Sequence, residues 1–303
     1  MSLLAGMTLI DLSWVLNPSA GLSIAAIVGV AFVLGVLHGI TPDEHTWPIT
    51  FSYSVGSYST RGGMKAGFTF SLGFTLQRAL LTTLGFIGVA AIYKTYNLDG
   101  PVYIVVGLVM CIAGYYVLKG RYLHLPIDML MGRKHHTGEA ERLPMHEAVN
   151  PVPLKMAAVH GLIAGWGFGA YASIITFILA PQVPSLIYAP LPGLAFGIGT
   201  MCMQIILGSV FASVMRVKHL TVEQMKKIGR VTAGKALYYG GMAFAVIGTL
   251  ILLFPVLDAV GLSTGIPIPN VNIIGVSTVL VVSVVGAIGF GSMYEAYKKV
   301  VST

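Results

Sequence analysis

The sequence predicts an all-α polytopic membrane protein, with about seven transmembrane helices forming two inverted three-helix repeats plus one extra helix. Three observations lead there. Of 303 residues, 55% are hydrophobic and only 10% charged, with a mean hydropathy of +0.82. An ordinary soluble domain carries about 25% charged residues, so there is too little charge here to coat a water-facing surface. The apolar residues fall in blocks about as long as the ~20 residues that cross ~30 Å of hydrocarbon. A His-Gly-aliphatic triplet also recurs at matching points of the two halves.

Taken in order, residues 1–17 form an interfacial segment. Leu3, Leu4, Met7, Ile10 and Trp14 share one helical face, as in helices that lie in the headgroup plane. The absent basic n-region and Asp11 argue against a signal peptide. Candidate spans follow at roughly 20–41, 64–93 and 101–119, the first repeat (18–119). A His-rich loop covers 120–154, with His124, His135, His136 and His146 near Glu139, Glu141 and Glu147. Such a tract binds metal loosely or is an ordinary solvated loop. The second repeat (155–256) holds spans at roughly 155–180, 190–215 and 234–256. An extra helix, 271–294, lies in the closing segment 257–303. The whole chain, 1–303, reads as one transmembrane domain.

Lysine and arginine set the expected orientation. Arg61, Lys65, Lys119, Arg121, Arg133, Lys134, Arg142, Lys155, Arg216, Lys218, Lys226, Lys227, Arg230, Lys235, Lys298 and Lys299 all fall on one side of this seven-span chain, and only Lys94 falls on the other. The positive-inside rule then places the N-terminus outside and the C-terminus in the cytoplasm of a cell inner membrane. The net charge of +7 reflects those loops, and nucleic acid is excluded as a partner.

The internal echo pairs Val36-Leu37-His38-Gly39-Ile40 with Ala158-Val159-His160-Gly161-Leu162. Each triplet is followed by a breaker, Pro42 in one half and Gly165 in the other. Spans 1 and 4 run in opposite senses, as inverted repeats require, and such halves commonly enclose a site built on interrupted helices. Interruptions are therefore expected at His38–His45 and at His160–Gly169.

The first break carries the densest chemistry. Pro42 cannot donate a backbone hydrogen bond, which frees the carbonyl of His38. Thr41-Pro42-Asp43-Glu44 reads as a helix start, with Thr41 as N-cap and Glu44 closing a capping box. One helix is thus expected to end near Gly39, at the end of the first span on the cytoplasmic side, and the next to begin at Thr41. His38, Asp43, Glu44 and His45 then gather imidazole and carboxylate donors that suit a borderline divalent cation. The bland alternative is an acidic first turn that complements a helix dipole. His160 is the second candidate ligand, although a lone membrane histidine can serve helix packing alone.

Gln77 and Arg78 interrupt the second span. Such an arginine needs a counter-charge or a water-filled cavity; it would pair with Asp43 or Glu44, or bind an anion. Met201-Cys202-Met203 offers sulfur but reads as packing. Cys111 and Cys202 form no CxxC. The run Gly229-Arg-Val-Thr-Ala-Gly234-Lys235-Ala236 mimics a phosphate-binding loop, yet Ala236 replaces the Ser/Thr that would hold magnesium, so no ATPase motif is present.

The stretch Leu34-Gly-Val-Leu-His38-Gly-Ile-Thr-Pro-Asp43-Glu-His45 resembles the signature of the nickel/cobalt transporter (NicO-type) family and its relatives among urease-accessory membrane proteins. These belong to a lysine-exporter-like superfamily of inverted three-helix-repeat transporters. The resemblance implies metal-handling places for His38, Asp43 and His45. The sequence departs from the pattern twice. Glu44 separates Asp43 from the second histidine, where the family usually has them adjacent. Phe74, in Phe70-Ser-Leu-Gly-Phe74, stands where the family usually has histidine.

The expected function is therefore secondary transport of a divalent transition-metal cation, nickel or cobalt first and zinc as an alternative, with no enzymatic activity and no required cofactor. Its partners are the bilayer and the metal cation, with a homo-oligomer left open. Two alternatives are an exporter of a small anion or organic solute that uses Arg78, and an intramembrane thiol-redox carrier.

Overall fold

In a computed structural model, the protein is described over residues 12–89, 91–96, 98–120, 154–214 and 220–302. Of the His-rich loop expected at 120–154, residues 121–153 lie outside these residues, as does most of the interfacial segment. The described chain is mostly helical. After a short α1 (Ser13–Leu16) come α2 (Ile24–Ile40), α3 (Trp47–Gly56), α4 (Thr60–Phe86), α5 (Ala91–Tyr96) and α6 (Asp99–Leu118). The second part holds α7 (Leu154–Ala164), α8 (Ala170–Gln182, with a π-helical middle), α9 (Leu191–Ser213) and α10 (Val222–Leu253). A turn, α11 (Val256–Ala259), leads to a two-stranded hairpin, β1 (Gly261–Ser263) and β2 (Ile273–Gly275), and then to α12 (Val276–Val301).

Four of these helices are long and apolar enough to cross a membrane: α6, the stretch Leu186–Ser213 that contains α9, α10 and α12. The helices α2, α7 and α8 are apolar but shorter. At 27 residues, α4 has the length to span (~1.5 Å per residue), but Gln77, Arg78 and its threonines and serines make it more polar.

Glycines allow the helices to touch backbone to backbone, the usual means of close packing where hydrocarbon removes the hydrophobic drive between helices. A Cβ on Gly63 would strike the Gly208 carbonyl, and one on Gly193 the Arg78 carbonyl, so α4 and α9 run antiparallel along their lengths. α6 and α10 pair likewise, Gly100 near Gly248 and Gly114 near Gly234. α2 lies along α9 with Gly35 against Phe196, and α7 lies along α4 with Gly161 against Phe70.

Two sequence expectations need correction, and one interruption falls where it was expected. The sixth span, expected from residue 234, begins at Val222 behind a capping box in which Thr221 and Gln224 satisfy each other's backbone N–H groups. This places the phosphate-loop mimic, residues 229–236, inside a helix. The fourth segment is two helices, α7 and α8, separated at residues 165–169, within the expected interruption at His160–Gly169. The first span does not end at its break: α3 continues for 10 residues, about 15 Å of helix, before the turn into α4. Every residue of α3 from Pro48 to Gly56 is buried, so this helix is interior wall and not a connecting loop.

Candidate functional site

The break between α2 and α3 is built differently from its sequence expectation. Thr41 is not an N-cap but the C-cap of α2, and its hydroxyl donates to the carbonyls of Leu37 (2.8 Å) and His38 (3.3 Å). The carbonyl that Pro42 frees is thus taken by the side chain immediately before the proline. No helix starts at Thr41 and no capping box forms, because α3 begins six residues later with Thr46 as N-cap and Pro48 in its first turn. Replacing Thr41 by valine is expected to lower stability by about 1 kcal/mol, measurable as a fall in the melting temperature of the detergent-solubilised protein.

Between the helices, Asp43 organises the turn. Its Oδ1 accepts from the backbone N–H of His45 at 3.0 Å, an Asx turn, while its own carbonyl accepts from Thr46 (3.3 Å) and Trp47 (3.0 Å). This leaves Oδ2 facing His38, 3.7 Å from Nδ1. Glu44 turns the other way. Its Oε1 accepts from the Tyr103 hydroxyl at 2.7 Å and lies 3.1 Å from Nδ1 of His45. Asp43, Glu44 and His45 each offer one ligand atom, all within 4.8 Å of one another. Small side-chain rotations would bring them to the ~3.3 Å ligand spacing of an ion with ~2.1 Å bonds.

The cluster is interior: His38, Asp43, Glu44 and His45 are 5%, 7%, 7% and 6% exposed. Both ring nitrogens of His38 and Nε2 of His45 have no hydrogen-bond partner. Buried polar groups are nearly always paired, so exceptions call for an explanation. His38 is stacked on Phe74 (centroids 5.5 Å apart) and on Phe196 (5.2 Å), with the Tyr171 ring edge-on at 5.6 Å. His45 meets Tyr103 (4.9 Å) and Phe244 (6.1 Å) edge-on. Phe74, where the family resemblance expects histidine, is therefore a direct neighbour of His38.

The second break supplies room. Without side chains, Gly165 accommodates the amide of Gln77 and Gly167 accommodates the imidazole of His45; a Cβ on Gly167 would stand 2.6–2.8 Å from three ring atoms of His45. Arg78 donates to the Gly167 carbonyl at 3.1 Å and lies over the Phe74 ring at 4.6 Å. Its charge contributes to the field at His38 and Asp43. Gln77, buried beside it, has no partner on either amide atom.

His160 sits apart from the ligand atoms. Its Nδ1 is 2.7 Å from the Tyr53 hydroxyl and 3.0 Å from the Met156 carbonyl, so it ties α7 to α3. The cluster's position along the bundle also differs from expectation. Tyr103 is in the second turn of α6 and Phe244 in the last third of α10, so the cluster lies near the end where α6 starts and α10 stops. That end is remote from Arg61 and Lys65. Sequence reasoning missed Tyr103, Tyr53, Tyr171 and the Gly167 carbonyl, none of which carries a local signal. Asp258 in the α11 turn belongs to the same end. Its carboxyl is held above the usual carboxylate range, first by burial and then by the charges of Asp99 and Glu44.

The class that fold and site define is a helical membrane protein with a buried imidazole–carboxylate cluster at an interrupted helix. No family model, curated protein or solved structure matches this chain.

Proposed function

We propose that the protein is a secondary transporter of a divalent transition-metal cation, nickel- or cobalt-like with zinc as an alternative, related to the NicO-type family. The carrying observation is the buried group of His38, Asp43, Glu44 and His45, with three imidazole nitrogens that make no hydrogen bond at a helix break. Imidazole with carboxylate is the donor set that borderline cations prefer. Substrate-binding breaks inside packed helices are characteristic of transporters. In this reading Asp43 and His45 are the central ligands and His38 joins from α2. Glu44, held by Tyr103, adds charge and orients His45 through its Nδ1. His160, the other candidate ligand from the repeat, serves the frame by holding α3 against α7. Gln77 and Arg78 line the path.

The inverted-repeat reading draws support from the packing. The pairs α2–α9 and α7–α4 are the ones that exchange of the two halves would interchange, and Gly39 and Gly161, each next to its histidine, face α9 and α4. On this reading seven spans cross an inner membrane with the N-terminus outside, and the halves rock about the breaks.

Purified protein titrated with cobalt, nickel and zinc should bind one of them. Cells expressing it should differ in metal content from cells expressing Asp43→Asn, which keeps the turn-forming acceptor but removes the charge. Equal metal content in both would sink the proposal. The anion-exporter alternative is favoured by one observation, the guanidinium of Arg78 buried between Phe74 and Phe196. It predicts instead that Arg78→Gln abolishes transport in a protein that binds no metal. The thiol-redox alternative draws no support: Cys111 donates to the Tyr238 carbonyl, while Cys202 is exposed on α9.

A further inference from the structure

The cluster is buried, and the element packed over one end of it is the one strand pair among the described residues. Between β1 and β2, residues 264–272 form a loop, Thr-Gly-Ile-Pro-Ile-Pro-Asn-Val-Asn. It is braced internally: Thr264 N–H donates to the Asn272 carbonyl (2.9 Å) and Thr264 Oγ1 to the Val271 carbonyl (2.6 Å). The strands beneath it are largely exposed. The second part of the loop, residues 268–272, is half-buried, and two hydrogen bonds tie it to the site. Asn270 Nδ2 donates to Thr41 Oγ1 at 3.3 Å, and the Tyr171 hydroxyl donates to the Pro269 carbonyl at 3.3 Å. Thr41 ends the helix that carries His38, and Tyr171 lies edge-on to His38. One loop thus bridges the two interrupted segments directly beside the cluster.

Much of the wall around the cluster is stiff, being helices whose glycines hold backbone against backbone and α3, buried from Pro48 to Gly56. Lifting the loop requires breaking two long hydrogen bonds and moving a strand pair that is mostly exposed. Segments with few buried contacts and exposed hydrogen bonds open at the lowest free energy.

We propose that residues 264–272 form a gate over the cation site at the end of the bundle where α6 begins, with Asn270 as its latch on Thr41. The gate rests on the reading of the break as a cation site, and its test separates the two. Asn270 has φ of 68°, a left-handed conformation that glycine adopts without strain. Asn270→Gly therefore removes the latch and leaves the backbone in place. A second variant replaces residues 264–272 by Asn-Gly, the two-residue turn that suits a hairpin.

Full-length protein in detergent is mixed with cobalt(II) in a stopped-flow instrument, following the metal's visible absorption. With the latch gone, association and dissociation should both accelerate, by roughly fivefold for the loss of one hydrogen bond, and equilibrium affinity should stay unchanged. The shortened loop should exceed that. Phe74→Cys in a background lacking Cys111 and Cys202 gives a readout free of metal, because Phe74 is fully buried beside His38. A water-soluble thiol reagent should label that position faster once Asn270→Gly is added. Faster labelling in a protein that binds no cobalt would keep the gate and remove the cation reading. Cobalt binding with exchange and labelling rates unaffected by either variant would overturn the gate.

Discussion

His38→Ala is expected to weaken metal binding by more than the roughly 10–100-fold typical of losing an outer-sphere partner, with little loss of stability. The reason lies in the bonding of this residue. Neither ring nitrogen has a hydrogen-bond partner, so removing the imidazole breaks no hydrogen bond and costs Asp43 Oδ2 only a neighbour at 3.7 Å. Lost stacking on Phe74 and Phe196 is the main structural cost. His160→Ala should show the reverse pattern. It leaves the Tyr53 hydroxyl unsatisfied between α3 and α7, a penalty of about 1–3 kcal/mol, while touching none of the ligand atoms. Isothermal titration with cobalt or nickel, paired with thermal denaturation of the same preparations, separates the two histidines. Unchanged affinity in His38→Ala would remove that residue from the site. A loss of affinity in His160→Ala equal to that in His38→Ala would return it to the ligand set.

Gly161→Val should prevent assembly of the folded protein. A Cβ at this position would run into the Phe70 carbonyl, with the Phe74 amide nitrogen 2.9 Å away. These are backbone atoms of α4 and cannot rotate aside. Overpacking typically costs about 1–3 kcal/mol where side chains can adjust; here a whole helix would have to shift, so the cost falls at or above the upper end. The yield of monodisperse protein in detergent measures it. Gly29→Ala is the matched control. Nothing lies within 4 Å of a Cβ there, and alanine is favoured over glycine inside a helix by roughly 0.5–1 kcal/mol. That variant should be neutral or slightly stabilised. Equal yields for the two would mean that the α4–α7 contact does not hold the bundle together.

Much of this candidate site was legible in the chain because its polar residues are close in sequence. His38, Asp43, Glu44 and His45 fall within eight residues, and a proline among apolar residues marks a helix interruption whatever surrounds it. The second break, at residues 165–169, was legible for a related reason: three glycines in five residues cannot sustain a helix at low cost. Local reading erred where two local structures competed. Thr41 can cap the helix behind it or the one ahead, and the sequence pattern favours the latter. The hydroxyl caps backwards because the Leu37 and His38 carbonyls lie within its reach, while Asp43 takes over the turn ahead.

The buried helix that follows the break was not read from the sequence, for a comparable reason. Residues 47–56 contain Thr50, Ser52, Tyr53 and Ser54 and look like a polar exit from the membrane. They form a buried helix in which most of these hydroxyls find partners, within it or on its neighbours: Thr50 donates to Gln204 Oε1, Ser52 to the Pro48 carbonyl, and Tyr53 pairs with His160, while Ser54 Oγ has none.

By itself, then, the sequence determined the helical class, the apolar segments, the two interruptions and the donor set at the first, since all of these follow from composition, period and helix-breaking residues in one stretch of chain. Only the tertiary structure decided that Tyr103 holds Glu44, that Gly167 gives His45 its place, that His160 pairs with Tyr53, and that a loop some 230 residues away hydrogen-bonds to Thr41. Each of these is a contact between distant segments, fixed by how glycine-lined helices meet, and no local pattern of residues encodes it.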